Sequence, residues 1–389
     1  MRIAVAGLGK RSVKVLGYLQ AAMPEAQVVG FVDPNPQRAA HLGASPAPQG
    51  FDNVDRMLAD IQADLLFVGS PNHLHLEHIT SGLKAGVRVF AEKPLVTTMD
   101  QTWALCDLLK AHGPERLMVG LVLRYAPQIK DLQTAMAAGH LGQIVSLEAN
   151  EHIEPQHGGF FMRDWRRHTA FSGGFMLEKC CHDIDLYSMI TGARPRLVAS
   201  FGGRRAFVPE NAPADPGDMT LYHTTPSLWQ TAPDPFHSDG DIIDHQTAIL
   251  AFENGVAMSF HTSTNAPDES RHFCVMGRKG MAEGDLQRGY LRITDARTGK
   301  RLLDKDYNAN PDLLQDHYGS DRQMTVELAA FLRGASGHLP VSALDAIEAG
   351  ISALALDEAR NGARIVDLTE TWARLDGYGL RQGGAGHAD

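Results

Sequence analysis

The stretch RIAVAGLGKRSVKVLGYLQAAMPEAQVVGFVD, residues 2–33, predicts how the first part of the chain folds. Its apolar run at residues 2–6 is typical of a buried parallel strand, and helical periodicity follows the turn Gly7-Leu8-Gly9-Lys10-Arg11-Ser12. A second apolar strand, residues 28–32, ends in Asp33. A strand, a glycine turn, a helix and a strand that ends in an acid are together typical of a dinucleotide-binding unit.

The residue types in the glycine turn fit contact with a pyrophosphate. Gly7 permits the tight turn, and Gly9 lets the backbone approach a phosphate at the helix N-terminus. Ser12 replaces the usual third glycine or alanine and is small enough for close packing of helix against strand. The alternative is a glycine turn in a doubly wound fold that binds no nucleotide, but the complete strand–turn–helix–strand context favours a cofactor site.

The choice of cofactor depends on Asp33. It lies about 20 residues beyond the glycines, where a carboxylate can accept hydrogen bonds from the ribose hydroxyls of NAD. The 2′-phosphate of NADP would meet the same negative charge, so we expect NAD rather than NADP. Arg38 and Arg11 are the cations that would have to reach a 2′-phosphate for the opposite preference.

Length, charge and cysteine content restrict the possible classes of protein. A chain of 389 residues predicts two domains, and its net charge of −10 disfavours binding to nucleic acid or to an anionic membrane surface. No apolar run approaches the ~20 residues of a membrane span, and a strand at residue 2 leaves no room for a signal peptide. Four cysteines give no disulfide framework, so we expect reduced thiols and a cytoplasmic protein.

Alternating strands and helices over residues 1–123 predict a doubly wound parallel sheet with helices on both faces. Residues 124–389 predict an α+β domain on one mainly antiparallel sheet, with hairpin turns such as Glu253-Asn254-Gly255. The predicted strands of this second domain are residues 144–154, 197–207, 242–252, 256–263, 272–276 and 291–294, and its predicted helices are residues 179–190, 321–332 and 342–360. Residues 209–241 are predicted to form a long excursion, and residues 383–389 a frayed tail.

Two predicted strands of the first domain deliver polar residues to the edge of the sheet that carries the glycine turn. Ligands of an open parallel sheet lie beyond the carboxyl ends of its strands, so these residues are candidate cofactor contacts. They are Ser70, Pro71, Asn72 and His75 after the strand at residues 63–68, and Glu92 and Lys93 after the strand at residues 87–91. Lys93, fixed by Pro94 and held by Glu92, would polarise a hydroxyl or carbonyl group; the alternative is a surface salt bridge.

A second group of candidate catalytic residues is Glu178, His182 and Asp185. Spacings of four and three residues put all three on one face of a helix. A carboxylate beside an imidazole fixes its tautomer and raises its basicity, as a proton acceptor for a sugar hydroxyl requires. Zinc binding by Cys180, Cys181 and His182 is disfavoured, because adjacent helical positions point about 100° apart and no second Cys/His pair completes a site. We predict no metal, and core packing for the two cysteines.

Two other stretches have a functional and a structural interpretation. Arg163, Trp165 and Arg166 would stack on a sugar face and donate to its hydroxyls, or they would pack at the domain interface. The stretch at residues 237–245, rich in Asp and His, lacks the spacing and the closing glutamate of a calcium loop, so we predict a solvated loop.

These motifs together resemble the Gfo/Idh/MocA oxidoreductase family over essentially the whole chain. The resemblance rests on the glycine turn, SPNHLHLEH at residues 70–78, AEKPL at residues 91–95, the array at residues 173–185 and the strand turn at residues 252–255. It implies a Rossmann domain followed by an open-faced antiparallel sheet that supports homodimers or homotetramers. It also implies that Lys93 and His182 are catalytic, with Glu178 or Asp185 assisting; many members carry Asp where this chain has Glu178.

The predicted function is hydride transfer between NAD and a secondary alcohol or ketone of a sugar, a cyclitol or a sugar derivative. The expected substrate contacts are Lys93, Tyr125, His152, Arg163, Trp165, Arg166 and His182. One rival is a redox-neutral NAD-dependent enzyme that cleaves glycosides through transient oxidation, and a second is a non-catalytic dinucleotide-sensing protein.

Overall fold

The computed structural model describes residues 1–43, 46–215, 217–222, 234–308 and 315–381. The strands of its first sheet are β1 (Arg2–Ala6), β2 (Gln27–Val32), β3 (Gln49–Gly50), β4 (Leu65–Val68), β5 (Arg88–Ala91) and β6 (Leu117–Val119). All pairs are parallel, in the order β3-β2-β1-β4-β5-β6, which confirms the doubly wound fold. The order reverses between β1 and β4, so the crevice for a ligand lies beyond the carboxyl ends of these strands.

The helices of this domain connect its strands and bury them. They are α1 (Lys10–Ala22), α2 (Val54–Asp60), α3 (His75–Lys84) and α4 (Met99–His112). Every residue of β4 is buried, as the continuous apolar run in its sequence predicts. Residues 36–42 form 3₁₀ turns. Gly86, with a φ of +74°, follows the C-terminus of α3, where a left-handed glycine commonly ends a helix.

The second sheet has nine strands, in the order β14-β13-β12-β11-β7-β10-β9-β8-β15. The strands are β7 (Ile144–His152), β8 (Pro195–Gly203), β9 (His245–Phe252), β10 (Ala257–Ser263), β11 (His272–Gly277), β12 (Gly280–Asp285), β13 (Tyr290–Asp295), β14 (Arg301–Asp306) and β15 (Val366–Asp367). Only β7 and β10 pair in parallel, so the predicted mainly antiparallel sheet is confirmed. Three strands, β12, β14 and β15, were not predicted from the sequence. β12 contains two glycines, and the edge strand β14 is mostly exposed, without alternation of buried and exposed positions.

One face of this second sheet is open. Side chains alternate between buried and exposed along β9 and β10, as expected for a sheet that is covered on one side. Phe201 on β8 and Ile249 on β9 are 71% and 58% exposed, and Met276 on β11 lies on the same face. The side of the sheet that carries Phe201, Ile249 and Met276 is its open face.

The helices of the second domain are α5 (Pro127–Ala137), α6 (Pro155–Arg163), α7 (Thr169–Ser172), α8 (Phe175–Glu178), α9 (Cys181–Thr191), α10 (Gln315–Tyr318), α11 (Ser320–Leu332), α12 (Ala343–Gly362) and α13 (Thr369–Asp376). In α10, a single turn, Asp316 and His317 have left-handed backbone angles. α12 packs against β8 and against α9, and begins at the predicted cap Ser342, whose side chain and that of Asp345 form a reciprocal capping box.

The helix predicted over residues 179–190 is α9, and Glu178 ends a separate short helix before it. α8 ends at Glu178, and α9 begins at Cys181, after backbone angles of −92° and 0° at Cys180. Glu178 therefore does not belong to the helix that carries His182 and Asp185, and the prediction that the three share one helical face is wrong.

Parts of two predicted segments lie outside the described residues: positions 216 and 223–233 of the long excursion, and the tail at 383–389. Within the part that is described, no helix is long and apolar enough to cross a membrane. The first sheet ends at Val119 and the second begins at Ile144. A domain boundary at residue 123 agrees with this change of sheet and stays a prediction.

Candidate active site

The glycine turn between β1 and α1 is shaped for close approach of a phosphate. Gly7 has a φ of +91°, and a Cβ there would lie 2.6 Å from the backbone nitrogen of Ser70. At Gly9, by contrast, a Cβ would meet no atom within 4 Å, and no side chain caps the helix that follows. Ser12 packs its hydroxyl against the carbonyl of Gly69 at 3.4 Å. The open helix N-terminus and the close packing both fit a bound pyrophosphate.

Asp33 lies at the tip of β2, as predicted, and its carboxylate is buried against the glycine turn. It accepts hydrogen bonds from the backbone nitrogens of Leu8 (2.7 Å) and Asn35 (2.8 Å). Arg38 Nη1 lies 3.7 Å from the same carboxylate. This arrangement holds the acid at the position expected for contact with the adenosine ribose of NAD.

Replacing Asp33 with alanine is expected to shift the ratio of the NADP and NAD dissociation constants toward NADP by at least about tenfold, because a like-charge contact costs several kcal/mol. Asp33→Asn, which removes the charge but keeps an acceptor for Leu8, separates charge from loop structure. In the double variant Asp33→Ala/Arg38→Ala the gain in NADP affinity should disappear. Titration calorimetry with both cofactors provides the ratio, and a wild type that binds both equally would contradict the prediction.

Arg11 points away from Asp33, toward the other end of the crevice. Its Nε donates to Glu92 (2.9 Å), Nη1 donates to Asp321 on α11, and His317 Nδ1 lies 3.4 Å away. Arg11 is therefore held by two acids and is not placed to reach a 2′-phosphate. Glu92 pairs with Arg11 rather than holding Lys93, which corrects the expectation from sequence.

Gly120 makes room for this pairing. A Cβ at Gly120 would lie 2.7 Å from the Glu92 carboxylate.

Two further residues of the glycine turn differ in exposure: the Leu8 side chain is buried, and the Lys10 side chain is exposed at the start of α1. Asp321 was not anticipated, because it lies 310 residues from Arg11 and belongs to no local motif.

Lys93 and Glu178 form the centre of the site, where the first domain meets the second. Lys93 Nζ lies 3.6 Å from Glu178 Oε1 and donates to the backbone carbonyl of Glu178. Asn72 Nδ2 donates to the second carboxylate oxygen at 2.5 Å, and Arg166 Nε donates to the first at 2.7 Å. Burial opposes ionisation of this carboxyl, but Lys93 and Arg166 outweigh it and lower the pKa of Glu178.

Glycines allow the turn that brings Glu178 to Lys93. Gly173 and Gly174 have φ values of +83° and +95°, which other residues rarely adopt. A Cβ at Gly173 would lie 2.4 Å from the Leu177 side chain. The double glycine is the local signal in the sequence for this reversal into α8.

His182 is buried beside this cluster, with 4% of its surface exposed. Its Nδ1 atom has no hydrogen-bond partner among the described residues. Burial, followed by the charges of Lys93 and His317, lowers the pKa of His182 well below 6.5. The imidazole is therefore neutral at pH 7 and able to accept a proton.

Asp185, the other candidate acid, is directed away from Lys93. Arg124 donates two hydrogen bonds to its carboxylate, at 2.9 and 2.6 Å, and a third to Asp345 at 3.0 Å. Burial raises the pKa of Asp185 to about 6. Glu178 binds Lys93 and Arg166, and Asp185 binds Arg124. Among the described residues neither carboxylate pairs with His182, so the predicted carboxylate–histidine pair is wrong.

A buried ion-pair network that was not predicted lies close enough to His182 for its charges to act on the imidazole. Arg271 donates to Asp183 at 2.8 and 2.7 Å and lies 2.7 Å from Glu151, which lies 3.0 Å from Lys179. Arg271 lies 88 residues from Asp183 in the sequence, so no local spacing indicated the network.

His75 and Ser70, two predicted cofactor contacts, make hydrogen bonds within the first domain. The His75 ring lies between the carbonyl oxygens of Ser70 and Pro94, each 2.8 Å from a ring nitrogen, and joins the loops after β4 and β5. Ser70 also bonds to His78 at 2.9 Å, and Pro71 precedes the 3₁₀ turn that carries Asn72. Tyr125 is buried in the core, with 1% of its surface exposed, and its contact with substrate stays a prediction.

Two other predicted substrate contacts, His152 and Arg163, have neighbours within the second domain. His152, at the end of β7, bonds to His261 at 2.7 Å, and His261 is exposed on the open face. The neighbouring Glu151 points to the opposite, buried side, as alternation along a strand requires. Arg163, at the end of α6, is buried near Asp234, which lies in the described part of the long excursion. The sheet geometry directs His152 to the open face, whereas Arg166 contacts Glu178.

Two stretches that resemble metal-binding motifs in the sequence, Cys180-Cys181 and residues 237–245, contain buried residues. Cys180 and Cys181 are free and buried, and no group of three metal-ligating side chains is found among the described residues. Asp244 accepts hydrogen bonds from the backbone nitrogens of Arg205, Ala206 and Phe207, so its part of residues 237–245 is a buried support rather than a solvated loop.

Comparison with known proteins agrees with this geometry. The first 121 residues match the model of an oxidoreductase family with a NAD-binding Rossmann fold, and residues 129–283 match the GFO/IDH/MocA C-terminal domain. These matches confirm the predicted NAD-binding domain.

Individual relatives are distant. The Bacillus subtilis protein YteT, which carries the name of an oxidoreductase, is 23% identical over 73% of this chain and 76% of its own length. A D-xylose dehydrogenase from Haloferax volcanii and an inositol dehydrogenase from Corynebacterium glutamicum are matched over 58% and 55% of their own length.

Solved structures share the whole fold at low identity. Myo-inositol 2-dehydrogenase from Lactobacillus plantarum has a TM-score of 0.72 and 19% identity, over 94% of this chain and 99% of that one. Levoglucosan dehydrogenase in complex with NADH and levoglucosan has a TM-score of 0.75 and 18% identity, over 95% and 99%. At these identities the likeness establishes the fold.

Proposed function

Because the chain belongs to the Gfo/Idh/MocA oxidoreductase family, we propose that it transfers a hydride between NAD and a secondary alcohol or ketone of a sugar, a cyclitol or a sugar derivative. Relatives named as inositol and xylose dehydrogenases support this substrate class. Four free, buried thiols support the cytoplasm as its location.

One observation carries the proposal: a lysine and a neutral, buried histidine come together where the first domain presents its glycine turn. Lys93 is held by Glu178, and His182 has a buried Nδ1 without a partner among the described residues. The glycine turn and Asp33 would hold the pyrophosphate and the ribose of NAD. Bound NAD would supply a hydride acceptor next to these side chains.

The side chains divide the proton chemistry of alcohol oxidation between them. His182, neutral at pH 7, takes the hydroxyl proton of the substrate. Lys93 donates a hydrogen bond to the same oxygen and stabilises the negative charge that develops there. Glu178 and Asn72 position Lys93, because the Glu178 carboxylate contacts both. Arg166 is placed to donate to a neighbouring hydroxyl.

The direct test is a panel of sugars and cyclitols incubated with the protein and NAD, with NADH formation followed by its absorbance. The proposal expects turnover with at least one polyol and a product ketone by mass spectrometry. Glycoside cleavage with retained cofactor and no net NADH would contradict it, as would tight NAD binding with no turnover of any sugar, cyclitol or glycoside.

We also propose that the open face binds a second copy of the chain. Phe201, Ile249 and Met276 form an apolar surface there that a monomer would leave in water. The resulting assembly is a homodimer or homotetramer, and the nine-stranded sheet provides a broad, self-complementary surface for it.

Phe201→Asp and Ile249→Asp are each expected to convert the oligomer into a monomer, since burying an unpaired carboxylate in an apolar interface costs several kcal/mol. Light scattering after size-exclusion chromatography measures the mass directly. Val326→Asp, at an exposed apolar position on α11, is the matched control and should keep the oligomeric mass. A monomeric wild type, or a control that dissociates equally, would contradict the proposal.

A further inference from the structure

Three aromatic side chains form a cluster beside the candidate active site, called the aromatic rim here: His73, Trp165 and Phe171. The His73 ring centroid lies 4.7 Å from that of Phe171 and 6.5 Å from that of Trp165. His73 belongs to the turn after β4 of the first domain, whereas Trp165 and Phe171 belong to the second. The rim therefore spans the two domains at the same place as Lys93 and Glu178.

Hydrogen bonds fix the distance between the rim and the reacting groups. Asn72, adjacent to His73, donates to Glu178 at 2.5 Å and to the carbonyl of Ser172 at 3.1 Å, next to Phe171. Arg166, adjacent to Trp165, donates to Glu178 at 2.7 Å. Each residue of the rim is therefore the immediate sequence neighbour of a residue in the hydrogen-bonded group around the Glu178 carboxylate.

The rim is only partly used for packing. Phe171 is 40% exposed, and Trp165 is half-buried. The Arg166 guanidinium lies 4.2 Å from the Trp165 ring centroid, so a cation with hydrogen-bond donors covers part of that ring. Apolar ring faces next to a few polar donors are typical of a ligand pocket, whereas a contact that only joins domains would bury the rings.

We propose that the aromatic rim is a binding site for a second ring of the substrate, so that the protein acts on a glycoside or disaccharide rather than on a free monosaccharide or cyclitol. This inference rests on the proposed function, which places the reacting ring at Lys93 and His182. The second ring lies against Phe171 and Trp165, and Arg166 donates to hydroxyls near the link between the rings.

The test compares substrates that share a reacting ring: glucose, methyl β-glucoside and cellobiose, and galactose, methyl β-galactoside and lactose. Each is assayed for kcat/KM with NAD, and for binding to the NADH-loaded protein by calorimetry. Two-ring compounds are expected to bind and react better than their one-ring partners. Phe171→Ala should lower kcat/KM for the two-ring compounds by up to about tenfold, the range of a ring-to-ring contact, and leave the one-ring compounds unchanged.

Phe171→Leu keeps apolar volume without an aromatic face, and should behave like Phe171→Ala if ring stacking is responsible. Equal kcat/KM and affinity for one-ring and two-ring compounds would overturn the second-ring site, as would equal losses for both classes in the variants. Tighter binding of two-ring compounds without any NADH formation would support the rim and overturn the proposed dehydrogenase activity. Absence of binding by every compound in the panel would overturn the second-ring site as well.

Discussion

Lys93→Ala and His182→Ala are each expected to lower kcat by about 10²–10⁴-fold, the usual contribution of a group that assists proton transfer. Lys93 supplies the hydrogen bond to the substrate oxygen, and His182 takes its proton. Neither side chain is expected to hold the adenosine half of NAD, which depends on the glycine turn and Asp33. The dissociation constant for NAD should therefore stay close to that of the wild type in both variants.

Steady-state kinetics with the best substrate of the panel, together with calorimetric titration of NAD, measure the two effects separately. Lys84→Ala and His140→Ala, at exposed positions, are the matched controls and should keep full turnover. Near-normal kcat in either active-site variant would remove that residue from the mechanism, and loss of NAD binding would assign it a structural role.

The neutral state of His182 also predicts a pH profile. Because burial lowers its pKa well below 6.5, the imidazole stays unprotonated as the pH falls through 6.5. The kcat/KM for alcohol oxidation should consequently not decline with the ordinary pKa of histidine, and an apparent pKa near 6.5 in this profile would contradict the assignment.

Asp185→Asn is expected mainly to lower the free energy of unfolding, whereas Glu178→Gln is expected mainly to lower kcat. Asp185→Asn leaves the buried Arg124 with Asp345 as its remaining acid, so the free energy of unfolding should fall by about 3 kcal/mol, the lower end for breaking a buried pair. The kcat per folded molecule should change little. Glu178→Gln loosens the contact that positions Lys93, and should lower kcat by about 10²-fold, as misplacement of a reacting group does.

Urea unfolding followed by circular dichroism and kinetics at a temperature where both variants are folded separate these effects. Asp304→Asn is the control for stability, because its pair with Arg292 is exposed and should contribute under about 1 kcal/mol. A larger loss of kcat in Asp185→Asn than in Glu178→Gln would reverse the roles of the two acids.

Local patterns in the sequence were sufficient for most strands and helices that position the site and for several site residues. The glycine turn, the acid at the tip of β2 and the lysine after β5 follow from spacing alone, because a parallel sheet brings the carboxyl ends of its strands to one edge. The cap at Ser342 likewise follows from a side chain that bonds to a backbone amide three residues away. Such interactions join residues that are close together in the sequence, so a local sequence pattern can predict them.

The partners of the charged side chains were decided only by the tertiary structure. Arg11 binds an acid 310 residues away, Arg271 one 88 residues away, and Arg124 one 61 residues away. No periodicity links such positions. The break between α8 and α9 has the same origin: helix propensities differ by under about 1 kcal/mol per residue, whereas an unpaired buried charge costs several. Lys179, between α8 and α9, contacts buried Glu151, and Glu178 at the end of α8 contacts Lys93. The sequence alone therefore determined the frame and the candidate residues, and long-range pairing of buried charges decided which acid lies beside which cation.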